Sequence, residues 1–143
     1  AAARAWARCA AAEMHSGFFD LRGTCTMNCG VRVKLKTFPD GLKNDLARLD
    51  ALWNDGLSRF GGPFLAGQAF TAVDAFFAPV AFRIQTYGLE LSSPALHYVE
   101  HLRTLVPMQD WYVAALAEPW RDAEHEAELA QVGTVVQDLR ATA

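Results

Sequence analysis

No long uncharged apolar run exists among the 143 residues, because Arg, Asp or Gly interrupts each candidate, and this excludes a membrane-spanning helix. Basic residues are not in excess either. The formal net charge of −3 and a pI near 5.8 leave no stripe that could neutralise a phosphate backbone, so nucleic acid is excluded as a partner. Cysteine is scarce and odd in number: Cys9, Cys25 and Cys29 cannot form a closed disulfide framework. With no secretory leader pattern, this predicts a reducing, cytoplasmic setting. Sustained alternation of apolar and polar residues is also missing, Val31–Leu35 being the one strand-like stretch. The predicted fold class is therefore all-α. The reading expects one domain over residues 1–143, since this length suits one core. It also expects a further segment upstream, because the chain opens directly into helix without an initiator Met.

What is present is helical periodicity. Trp6, Ala10, Met14, Gly17, Phe18 and Leu21 predict a first helix of about twenty residues, weakened between Gly23 and Gly30. Pro39 suits a first helical turn, and Leu42, Leu46, Leu49, Trp53, Leu57 and Phe60 continue from it until Gly61-Gly62-Pro63. Ser93 before Pro94 predicts an N-cap, with Leu96, Val99 and Leu102 facing inward. Pro107 opens another helix that Pro119 closes. Charges dominate from Arg121 to Gln131, so that helix should be solvated and the remainder to Ala143 loosely held. About six helices in an irregular bundle are expected.

Between these elements lies Gly62–Val80, a loop ending in a helix start. Thr71 and Asp74 have the spacing of a capping box, with Asp in place of the commoner Glu or Gln. The helix that follows is apolar nearly all round until Arg83, which predicts burial on most sides. Pro79 predicts a kink, and Gly88 a C-terminal residue with positive φ. Phe70 and Ala75 occupy the positions of a hydrophobic staple, but Ala75 is too small to complete it. Loss of either Thr71 or Asp74 is expected to cost about 1 kcal/mol.

Few patterns point to chemistry. His97-Tyr98-Val99-Glu100-His101 spells an inverted zinc-peptidase motif, yet a catalytic zinc needs a third protein ligand, and only the charged tail could supply one. The plain alternative is a solvent-facing helix flank, and no metal site is assigned. Cys25 and Cys29 are spaced C-x3-C, not the C-x-x-C of redox pairs, and read as buried, inert thiols. His15 and Ser16 are about 100° apart on a helix, which disfavours a nucleophile–base pair.

Phe64-Leu65-Ala66-Gly67, followed by Thr71 and Asp74, resembles the start of the central buried helix in the second, all-helical domain of cytosolic glutathione transferases. The runs Glu13–Phe18 and Val73–Val80 resemble an uncharacterised bacterial branch of that superfamily. In this family the Thr and Asp are a structural N-capping box, a role the resemblance implies for Thr71 and Asp74. It also implies a first helix that lines an apolar electrophile pocket on one side and a homodimer interface on another. Phe18, Phe19, Arg22, Thr26 and Met27 are the expected pocket lining. Asp20, in the triplet Asp20-Leu21-Arg22, would reach the glutathione amino group bound by a partner subunit.

The family's thiol-activating Ser, Tyr or Cys belongs to a thioredoxin-like N-terminal domain, which is absent from these residues. This chain alone is thus expected to bind no cofactor, glutathione being a co-substrate of the parent enzyme, and to be inactive in conjugation. The catalytic residue stays unassigned. The leading expectation is the C-terminal domain of a glutathione transferase-like enzyme. A non-enzymatic binding or assembly module of the same fold is the alternative, and a zinc peptidase is the third reading.

Overall fold

The computed structural model describes residues 1–140. Its elements are α1 (Ala2–Ser16), α2 (Phe19–Thr24), β1 (Val31–Leu35), α3 (Asp40–Phe60), α4 (Ala72–Tyr87), α5 (Ser93–Thr104), α6 (Val106–Ala117), α7 (Ala123–Val132) and β2 (Gly133–Asp138). The structure is mostly helical, with one small two-stranded sheet. No helix among the described residues is long and apolar enough to cross a membrane.

One hydrophobic cluster runs through every one of these elements except β2, and α4 lies at its centre. Val73, Phe77, Val80, Ala81, Phe82 and Ile84 of α4 are buried, as expected of a helix apolar nearly all round. Pro79 sits inside this helix without ending it, and Gly88 closes it with φ 59°. On α3, Leu42, Leu46, Leu49 and Trp53 recur at steps of three or four and are buried. Trp53 meets Phe77 and Tyr98 edge to face, with ring centroids 5.5 and 5.0 Å apart, which locks α3, α4 and α5 together.

Three expectations require correction. The first helix is not continuous: Phe18 adopts φ 53°, and the break falls at Gly17–Phe18, ahead of the glycine-containing stretch. Seven helices stand among the described residues where about six are expected, α2 being a separate element. Residues 133–138 are not loose; they form β2, antiparallel to β1 from Val31↔Asp138 to Leu35↔Gly133. Residues 141–143, the last part of that expected loose tail, lie outside the described residues.

On α5 the cap is Ser92, one residue earlier than expected. Asp50 of α3 fixes it by accepting from the Ser92 N–H at 2.9 Å and from its hydroxyl at 2.7 Å. That shift turns Ala95 and Tyr98 inward with Val99 and Leu102 and leaves Leu96 exposed. The α7 helix is largely solvated, as its charges imply, with Leu129 its buried anchor.

Candidate functional site

Gly17 is where α1 must turn. A methyl group there would lie 2.8 Å from the Glu13 carbonyl oxygen, so the chain can pass this point only as glycine. The following left-handed Phe18 is sterically costly for a bulky residue, and burial of its ring in the core offsets that cost. The new direction starts α2, whose Leu21 N–H donates to Asp45 Oδ2 of α3 at 2.9 Å. Arg22 is thereby brought back under the end of α1, its guanidinium donating to the carbonyls of His15 at 3.1 Å and Gly17 at 3.4 Å.

The segment after α2 has no regular structure, and α4 holds it in place. Arg83 Nε donates to the Cys25 carbonyl at 2.7 Å, Tyr87 Oη to the Thr26 carbonyl at 3.0 Å, and the Thr86 hydroxyl to the Asn28 carbonyl. Since the Tyr87 proton goes to a carbonyl, the Thr26 hydroxyl is the donor in its 3.1 Å contact with Tyr87. Residues 83, 86 and 87 share a helix face, so three side chains of one face fix three carbonyls, those of Cys25, Thr26 and Asn28. The loop thiols are free and buried. Burial pushes Cys25 up to about 12, with Arg83 opposing; burial and then Glu118 push Cys29 up to about 11, against Arg32 and Arg83. Neither is a nucleophile at neutral pH. Cys9, in contrast, is exposed.

At the other end of α4, Thr71 and Asp74 form a capping box. The Thr71 N–H and hydroxyl donate to Asp74 Oδ2 at 2.8 and 3.1 Å. Asp74 is fully buried, and its second oxygen accepts from the Leu65 N–H at 3.1 Å and the Tyr98 hydroxyl at 2.9 Å. Burial, and then the Asp74 charge, raise the Tyr98 phenol well above its ordinary range, which keeps it a donor. Four donors surround a carboxylate with no open side, so Asp74 joins the loop, α4 and α5 and is not available to a substrate. Phe70, lacking a partner at Ala75, packs its ring against Phe64 at 5.7 Å.

Two clefts of about 450 Å³ flank this framework. One is lined by Met27, Cys29, Trp111 and Trp120 together with Glu118 and His125. The other lies between α1 and the start of α4; Ala3, Ala7, Ala11, Ala66, Ala72 and Val73 give it an apolar floor, and Arg4 and Arg8 its rim. The exposed face of α4 extends this second cleft through Ala75 and Phe76, the latter 44% exposed.

The expected pocket residues are placed unequally. Phe18 and Thr26 are buried, Met27 is half-buried, and Phe19 and Arg22 are exposed, with the Arg22 guanidinium 5.7 Å from the Phe19 ring centroid. Met27 alone of the five borders the first cleft, where Trp111 and Trp120 are linings that helical periodicity missed. Asp20 is exposed, and a methyl group on Gly41 would fall 2.4 Å from its carboxylate, which therefore lies over the first turn of α3. A negative charge is favourable there. His97 is exposed while His101 packs on Phe64, with ring centroids 4.8 Å apart. Among the described residues no three His, Cys, Asp or Glu side chains gather as a metal site.

A buried, box-capped central helix clasped by other helices defines an all-helical domain whose buried carboxylate, Asp74, is wholly engaged by its own framework. A family model described as glutathione S-transferase, C-terminal domain, matches residues 35–126, nearly two thirds of the chain. The chain belongs to that family. No curated protein and no solved structure gives a match.

Proposed function

We propose that this chain is the substrate-selecting half of a glutathione transferase-like enzyme. The single observation that carries the reading is the family match over residues 35–126, from α3 through α6 to the start of α7, on a fold whose central helix bears the Thr71–Asp74 box. In such an enzyme a thioredoxin-like domain holds glutathione and its thiolate, and the helical domain supplies a surface for an apolar electrophile. The apolar cleft between α1 and α4, continued by Ala75 and Phe76, suits the docking of that domain. Exposed apolar area of this kind is commonly covered in the working protein.

The electrophile would lie near the end of α1, beside Phe19, Arg22 and Met27. Phe18 and Thr26 act from behind, one as core and the other through Tyr87. The reaction itself is attack of a glutathione thiolate on an electrophilic carbon, with displacement of a leaving group such as chloride. Nothing in Cys25 or Cys29 competes for that role, since both thiols stay protonated at neutral pH. A homodimer, with Asp20 facing the partner's glutathione, would require Asp20 to leave or share its place over α3.

The test is conjugation of a chloronitrobenzene by the protein encoded by the whole reading frame. Turnover there, lost on replacing the thiol-activating residue of the upstream domain, supports the reading. An upstream sequence with no thioredoxin-like segment would leave a binding module of the same fold and overturn the enzymatic assignment.

A further inference from the structure

We propose that Arg32, Arg103 and Tyr112 form a binding site for the phosphoryl group of a small molecule, in a third cleft that lies between α4 and α6. This cleft of about 270 Å³ is lined by Phe82 and Gln85 of α4, Arg103 of α5, and Met108, Tyr112 and Val113 of α6. It shares no lining residue with either cleft described above. Two guanidiniums converge there on one neutral atom. The Gln85 amide oxygen, in the orientation its neighbours require, accepts from Arg32 Nη2 at 2.7 Å and from Arg103 Nη2 at 2.6 Å. Arg32 Nη2 also donates to the Tyr112 hydroxyl oxygen at 3.3 Å, and its Nη1 to the carbonyls of Cys29 and Val31. Arg32 is half-buried and holds no carboxylate among the described residues.

A neutral amide satisfies the hydrogen bonds of two guanidiniums but not their charges, and like charges held together away from water are costly. Glu100 relieves this only in part. It accepts from Arg103 Nη1 at 2.9 Å, but it is an exposed partner three residues away, a weak arrangement, and it leaves Arg32 uncompensated. Because Tyr112 accepts from Arg32, its own proton is left to donate outward, and the bond it receives strengthens it as a donor. Donors therefore come from three elements, β1, α5 and α6. A phosphoryl group offers three oxygens and about −1.5 to −2 of charge at neutral pH, which suits two guanidiniums and a hydroxyl; a carboxylate offers two oxygens and one charge. In the complex a phosphoryl oxygen takes the place of the Gln85 oxygen, and the amide turns aside. Phe82, stacked on Tyr112 with ring centroids 5.8 Å apart, gives apolar contact to an organic group, as do Met108 and Val113.

Calorimetric titration of the full-length protein with phenyl phosphate, inorganic phosphate and benzoate tests this, with glutathione present throughout so that a glutathione site does not contribute. Phenyl phosphate should bind about tenfold more tightly than benzoate. Inorganic phosphate binding as tightly as phenyl phosphate would assign the site to the free ion, and weaker binding would assign it to an ester; either supports a phosphoryl site. Arg103→Gln should weaken phenyl phosphate about tenfold and Tyr112→Phe about fivefold. Gln85→Glu, which puts a carboxylate where the guanidiniums meet, should abolish binding and raise the melting temperature. Glu100→Gln removes a competitor and should strengthen binding. Arg103→Gln, at a side chain 29% exposed, and Tyr112→Phe decide the matter if Gln85→Glu does not fold. Benzoate binding as tightly as phenyl phosphate, no phosphate binding at all, or binding that survives in both Arg103→Gln and Tyr112→Phe overturns the proposal. The readout needs no turnover, so an enzyme inactive in conjugation would still report on this site.

Discussion

Removing the Asp74 carboxylate would strand the Leu65 N–H, the Thr71 N–H and the Tyr98 hydroxyl together, at roughly 1–3 kcal/mol for each buried donor. Asp74→Ala should therefore cost about 3 kcal/mol or more, well above the 1 kcal/mol suggested by capping alone, whereas Thr71→Ala should stay near about 1 kcal/mol. Urea denaturation checks both, and equal small losses would show that Asp74 serves only its own helix. The difference explains what could be read at this scale. The Thr71–Asp74 pair is visible in sequence because its partners are three residues apart. The bonds to Leu65 and Tyr98, 9 and 24 residues away, have no sequence signature. The thiols give a second expectation. At pH 8 an alkylating reagent should modify Cys9 alone in the native protein, and all three cysteines after unfolding. Rapid native labelling of Cys25 or Cys29 would mean that the clasp from α4 opens.

Elements were legible where one helix face decides burial, as in α3 and α4, and less so where a neighbour decides. Periodicity alone carries α1 through Leu21, because Phe18 and Leu21 are apolar at helical spacing; the break comes from the close approach of Gly17 to the Glu13 carbonyl. Similarly, β2 exposes nearly every side chain and has no apolar face to announce it. Its identity comes from pairing with β1, whose Val31 and Val33 are buried. Ending the chain after Val132 should leave that edge unpaired and cost about 2 kcal/mol, read as a lowered melting temperature. An unchanged transition would mean that β1 is held by α4 alone. The polar trio Arg83, Thr86 and Tyr87 was the missed signal for the site: three hydrogen-bonding residues near the end of a helix that is apolar from Ala75 to Phe82.

For the molecule as a whole, the raised thiols set a pH limit. In the folded chain Cys25 and Cys29 keep their protons to about 12 and 11, while the unfolded chain releases them near 9. Their protonated state thus favours the fold fully below pH 9, and this contribution is lost as pH rises toward 11 and beyond. The melting temperature should fall across that range, and Cys25→Ala should reduce the slope. The family and helical class were legible from one capped phrase, since both are written in short-range chemistry. The pocket was less so, because Met27, Trp111 and Trp120 meet only in three dimensions.

The central claim is a division of labour in which this chain selects the electrophile and another domain activates the thiol. The most direct measurement compares glutathione conjugation of a chloronitrobenzene by residues 1–143 alone with that by the protein bearing its thioredoxin-like domain. The account predicts no rate above the uncatalysed reaction for the chain alone and turnover for the joined protein. Robust conjugation by residues 1–143 would contradict it.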